Sequence, residues 1–256
     1  MSVDVLAIGA HPDDVELGCG ATLARLARSG RRVGIVHLTG GEAGSRGTRE
    51  ERRAEAEGAA AALGAEALEI LDLGDGALRT GPAEEDLLIA LLRRLRPELV
   101  FAPTPVEDRH PDHARAHRLV ADACFYAGLA RRGAGEPHRP AAVFAYMQHD
   151  PFVPSFVVDV TASWEAKLAA LACYRSQLYQ PAAAPRTAPD AAADAASAPA
   201  PALPPTRVAS REFRQAVEGR ARHYGQLVGV ELGEPFFARG PLAIGDPWSL
   251  RPVGLP

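Results

Sequence analysis

The sequence predicts an α/β fold of the Rossmann-like type: a mostly parallel, doubly wound sheet with helices on both faces. Three observations lead there. Short, nearly continuous apolar runs alternate with stretches of helical period through the first half of the chain, the order expected of βαβ units. The apolar runs barely alternate with polar residues, as in strands covered on both faces. And 256 residues can bury a large core as one domain spanning 1–256.

Val3–Gly9 reads as the first buried strand and Glu16–Ser29 as the helix after it, closed by Gly30. Val33–Leu38 is the second strand, followed by the alanine-rich helix Arg49–Leu63, which ends at Gly64. Leu68–Leu71 is a weak third strand, and Glu84–Leu95 a helix that Pro97 stops. Leu99–Ala102 is the fourth strand; a proline-rich loop then leads to a helix from about His113 to Ala130. Ala142–Tyr146 and Phe156–Val160 are further strands, and Ser163–Ser176 a helix. Pro181–Pro205 is mostly alanine and proline, with hardly any large apolar side chain. It cannot bury enough surface to offset its ordering entropy, so it reads as a disordered insertion. Ser210, a good N-cap, opens a last helix that runs to about Val228.

A net charge of −4 gives no general reason to expect nucleic acid or an anionic membrane as partner. No apolar run is long enough to span a bilayer, and Met1-Ser2-Val3-Asp4 lacks a signal-peptide layout. Cys19, Cys124 and Cys173 are odd in number and widely spaced, as in the reduced thiols of a cytoplasmic protein. Cys19 lies near enough to the first motif below to be considered a ligand, but a core thiol is the simpler reading.

Two motifs carry the chemistry. Gly9-Ala10-His11-Pro12-Asp13-Asp14 leaves the first strand, and His110-Pro111-Asp112-His113 follows the fourth. In the commonest doubly wound order these strands are neighbours at the point where the winding reverses, where ligands bind beyond the carboxyl ends. The motifs then supply imidazoles and carboxylates for a metal, with a carboxylate and a histidine to spare, which implies metal-assisted hydrolysis. Simpler readings compete. Asp13 and Asp14 could cap the following helix. His113 and His117, one turn apart, could form the metal pair instead. Gly18-Cys19-Gly20 has no third glycine where a dinucleotide loop needs one, and no phosphate-loop motif occurs.

At these residues the chain resembles the PIG-L, or LmbE-like, family of zinc-dependent N-acetylglucosamine deacetylases. The resemblance rests on Ala10-His11-Pro12-Asp13-Asp14-Val15-Glu16 and Glu107-Asp108-Arg109-His110-Pro111-Asp112-His113. Supporting stretches are Gly47-Thr48-Arg49-Glu50-Glu51-Arg52, Tyr174-Arg175-Ser176-Gln177, and Gly225 to Gly229 leading into Gly233-Glu234-Pro235-Phe236-Phe237. The Val-Glu-Leu-Gly continuation is similar to the bacillithiol branch, which deacetylates N-acetyl-glucosaminyl L-malate. The resemblance implies that His11, Asp14 and His113 hold one zinc (or ferrous) ion and that Asp13 is the general base. It further implies that a protonated His110 stabilises the oxyanion and that Arg52 contacts substrate. Asp112, between the two histidines, would steady the His110 ring. Arg49 and Arg53 neighbour Arg52 and spacing alone does not choose among them; Arg109, Gln148 and Tyr179 are further substrate-binding candidates. The implied partner is a small-molecule N-acetylglucosamine conjugate, and the family's habits imply a homo-oligomer.

Overall fold

The computed structural model describes residues 2–180 and 204–250, with no account of the side chains at 249 and 250. The expected 181–205 insertion therefore lies, but for its last two residues, outside the described residues. Seven strands form one mixed sheet in the order β3-β2-β1-β4-β5-β7-β6. They are β1 (Val5–Gly9), β2 (Val33–His37), β3 (Ala67–Ile70), β4 (Leu99–Ala102), β5 (Ala142–Tyr146), β6 (Phe156–Asp159) and β7 (Gly233–Ala238). The helices are α1 (Asp14–Arg28), α2 (Arg49–Leu63), α3 (Pro82–Leu95), α4 (Pro111–Ala127), α5 (Trp164–Cys173) and α6 (Arg211–Val228). None among the described residues is long and apolar enough to cross a membrane.

β3, β2, β1, β4 and β5 run parallel, and β7 pairs antiparallel with both β5 and β6. Val5 faces Leu99 and Ala7 faces Phe101 across the β1–β4 ladder. That pairing is the winding reversal, and it brings the two motif-bearing loops side by side. Each central strand feeds two cores. Leu6, Ile8, Val36 and Leu38 point towards Leu88, Leu92, Leu119 and Val120 of α3 and α4. Val5, Ala7, Ile35 and Phe101 point the other way, towards Leu23, Leu63 and Ala170 of α1, α2 and α5. Each fully buried leucine or isoleucine contributes about 1.5–3 kcal/mol.

β7 is the strand that the sequence reading lacked. Pro235 interrupts a short run, so it reads as loop. In the sheet Pro235 sits beyond the β5 ladder, which covers only Phe236 to Ala238 of β7, so its missing N–H leaves no gap in that ladder. Helix ends also shift: α1 and α4 start earlier than expected, at Asp14 and Pro111, and α5 stops at Cys173. Pro111 occupies the first helical turn, where its lack of an amide hydrogen does no harm.

The Gly18-Cys19-Gly20 stretch has a packing purpose. α1 is kinked at Cys19 (φ −141°), and a Cβ at Gly18 would overlap the Tyr146 ring. The Tyr146 hydroxyl in turn donates to Ile8 O at 2.9 Å. Glu234 of β7 accepts from the amides freed by the kink, Ala21 N (3.2 Å) and Thr22 N (2.7 Å), and from Lys167 Nζ at 2.6 Å. Cys19 lies in the core cluster below the helix.

Candidate active site

The first loop is built tightly. Asp13, the residue before α1, is held at φ 103°, ψ −24°, a backbone conformation that costs a non-glycine residue on the order of 1–3 kcal/mol. It makes no side-chain cap bond, so its carboxylate is left for the cleft that it lines. Asp14 Oδ2 instead accepts from His11 N at 2.9 Å. In the second loop His110 caps α4, its Nδ1 accepting from Asp112 N at 3.3 Å.

The loops meet. His113 Nε2 lies 3.2 Å from Asp14 Oδ1 and His11 Nδ1 lies 3.4 Å from Asp14 Oδ2. The His11, His110 and His113 rings offer nitrogens that are all within 4.8 Å of one another. Supporting groups lie behind them: Asp108 Oδ2 sits 3.2 Å from His113 Nδ1 and accepts from His149 N at 3.1 Å. Gln148 Nε2 donates to Asp14 Oδ1 at 2.9 Å, and its Oε1 accepts from Thr104 N. A buried carboxylate flanked by two imidazoles, one of them backed by a second carboxylate, is a donor set that suits zinc or another borderline divalent ion. His11 Nε2 faces two further carboxylates, Asp75 at 3.0 Å and Asp112 at 3.7 Å, so both nitrogens of this buried ring sit among oxygen donors. His11, Asp14 and His113 would hold the ion.

Electrostatics sort the carboxylates. Burial pushes Asp13 up to about 7, with the Asp14 charge adding to the rise and Arg52 opposing it. Burial also acts to raise Asp14, but the His113 and His11 imidazoles outweigh it and hold Asp14 well below the usual range. For His113 burial favours the neutral ring, yet Asp14 and Asp108 raise it to about 9. Burial lowers His110, and the neighbouring His11 and His113 add to that. Against the expectation of a protonated His110, its Nδ1 accepts from the Asp112 backbone amide, the arrangement of a neutral ring with its hydrogen on Nε2.

A second correction concerns Asp112. Its carboxylate does not hold the His110 ring, because His110 Nδ1 is already engaged by the Asp112 backbone amide. The side chain turns to Gly76 N (2.8 Å) and Arg115 Nη1 (3.0 Å), with His11 Nε2 3.7 Å away.

Of the three arginines of α2, Arg52 is the one that lines the cleft. Arg52 is buried, donates to Gly41 O (2.6 Å) and Pro12 O (3.0 Å), and lines the cleft beside Asp13. Arg49 and Arg53 face solvent, 3.3 Å from Asp72 and 3.9 Å from Glu57 respectively. Arg109 stands at the cleft rim. Gln148 is spent on Asp14, and Tyr179 lines a neighbouring apolar cavity with Trp164 and Phe213. His117 bonds Pro103 O at 2.9 Å, away from His113's partners, so the helical pair is not formed. Four residues of the site carried no role in the sequence reading. Asp108 lay inside a quoted motif; Asp75, 3.0 Å from His11 Nε2, sits in a Gly-Asp-Gly turn that hints at a shaped loop. The fully buried Glu16, pushed up to about 8 by burial, likewise lay inside a quoted motif, and His149 sent no local signal.

The cleft measures about 390 Å³, room for a monosaccharide and part of a substituent. A family model described as PIG-L, GlcNAc-PI de-N-acetylase, matches residues 6–124. Diacetylchitobiose deacetylase from Thermococcus kodakarensis is 32% identical over 68% of this chain and 69% of its own. 4-Oxalmesaconate hydratase from Pseudomonas putida is 30% identical over 67% of this chain and 73% of its own. The crystal structure of a conserved protein from Thermus thermophilus superposes with a TM-score of 0.81 at 38% identity, covering 96% of this chain and 98% of that one. The chain belongs to the PIG-L de-N-acetylase family, and it is an enzyme.

Proposed function

We propose that the enzyme is a metal-dependent N-deacetylase that releases acetate from a small N-acetylglucosamine conjugate, with N-acetyl-glucosaminyl L-malate as its substrate. The single observation that carries this reading is the convergence, in one cleft, of His11, Asp14 and His113 with a half-buried Asp13 carboxylate that the helix cap does not use. A bound zinc or ferrous ion would supply Lewis acidity and a water of lowered pKa. This chain's own groups do the rest. Asp13, poised near neutrality, takes the proton of the attacking water and hands it to the departing amine nitrogen. His110 Nε2–H donates to the former carbonyl oxygen as negative charge develops there. Asp108 and Gln148 keep His113 and Asp14 in register. Arg52 fixes the Pro12–Asp13 backbone and, with Arg109, presents donors to the sugar hydroxyls.

The experiment compares metal-loaded parent and Asp13→Asn for free amine released from the malate conjugate. The variant is expected to keep its metal and lose about 10²–10⁴-fold in kcat. Equal turnover by the two proteins would overturn Asp13 as base. Failure of the parent on every N-acetylglucosamine conjugate, together with hydration of an unsaturated dicarboxylic acid, would transfer the site to the hydratase chemistry named for the Pseudomonas relative.

A further inference from the structure

Beside the catalytic cleft, between the segment after β5 and helix α6, lies a second one of about 350 Å³. They share a wall. The His149 ring borders both, and the consecutive residues Arg207 and Val208 line one each. Arg207 and Arg220 give the second cleft its positive charge, His149 and His223 line it beside them, and among the described residues no aspartate or glutamate does. Phe213 and Tyr224 give it apolar flanks.

Arg220 is the informative group. It is half-buried on α6, and one Nη1 donates to Gln148 O. Among the described residues no carboxylate pairs with it. The two that reach it electrostatically, Glu234 and Asp108, are already committed to Lys167 and to His113. A partly desolvated guanidinium without a counter-ion is unfavourable unless an anion arrives from outside, and a concave basic wall concentrates its field on that anion.

We infer that this cleft is the subsite for an anionic group, a carboxylate or a phosphate, on the substrate part remote from the acetamide. The inference rests on the deacetylase reading and adds where the acid lies: against Arg207 and Arg220, across His149 from the metal-binding loops. A planar guanidinium fork suits either anion.

The test uses metal-loaded full-length chain, and it compares the L-malate conjugate, the 1-phosphate and the neutral methyl glycoside of N-acetylglucosamine. Parent, Arg207→Gln, Arg220→Gln and Arg220→Lys are assayed on each. The ratio of kcat/KM for anionic over neutral substrate is expected to fall about tenfold in each glutamine variant, roughly the loss of one charge-assisted hydrogen bond. The fall is expected through KM, and Arg220→Lys should retain most of the preference. Whichever anionic substrate shows the larger fall identifies the anion. A ratio that does not move, or an equal loss on all three substrates, would overturn the subsite. Calorimetry with free L-malate gives a readout that does not depend on turnover. Parent is expected to bind at least tenfold tighter than Arg207→Gln, a change on the exposed rim that spares the fold, and equal affinity would overturn the inference. Absence of turnover on all three substrates, with malate binding still lost in Arg207→Gln, would instead count against the deacetylase reading alone.

Discussion

His113 is held between two carboxylates, with Asp14 Oδ1 3.2 Å from Nε2 and Asp108 Oδ2 3.2 Å from Nδ1, and these raise it to about 9. The metal-free site is therefore protonated at neutral pH, with charge where an ion would sit. A cation must displace that proton. Because the raised pKa lies above 7, the free site loses its proton as pH rises through 9, and affinity rises with it. The expected result, by titration calorimetry in two buffers, is net proton release at pH 7 and about tenfold tighter zinc binding per pH unit between 6 and 8 for each proton displaced. A pH-independent affinity would contradict the assignment of His113 as a ligand. Residue types and motif spacing made His11, Asp13, Asp14, His110 and His113 legible before any fold was known. The protonation of His110 and the partner of Asp112 were not legible, since both depend on which nitrogen the α4 cap consumes.

At the level of elements, α1 shows how a distant strand completes a helix. The kink at Cys19 frees two amides, and Glu234, far along the chain on β7, receives them together with Lys167. Removing only one member leaves a buried charge without its partner, at a cost of about 3–5 kcal/mol. Glu234→Leu is expected to lose stability on that scale in denaturant unfolding, and the double change with Lys167→Met to recover a large part of it. Similar stability for the parent and Glu234→Leu would show that the pair does not hold α1 to β7. The central strands and their helices were readable because periodicity and breakers agreed. β7 was not, because Pro235 mimics a loop and its tolerance depends on where the β5 ladder ends.

For the whole molecule, the strand order places β1 next to β4, and this makes one site from segments a hundred residues apart. Topology supplied the meeting place and the motifs supplied the candidate ligands, so the clustering of these groups was foreseeable. Its surroundings were not: Asp75, His149 and the Arg207–Arg220 wall reach the clefts from separate loops and from α6, with no spacing to connect them. The most direct measurement is anomalous diffraction at the zinc absorption edge from crystals of the zinc-loaded chain. One strong peak within bonding distance of His11, Asp14 and His113, with Asp13 beside it but not bound to it, is the expected result. A peak at His117, or one held by Asp75 and Asp112 without His113, would contradict the assignment.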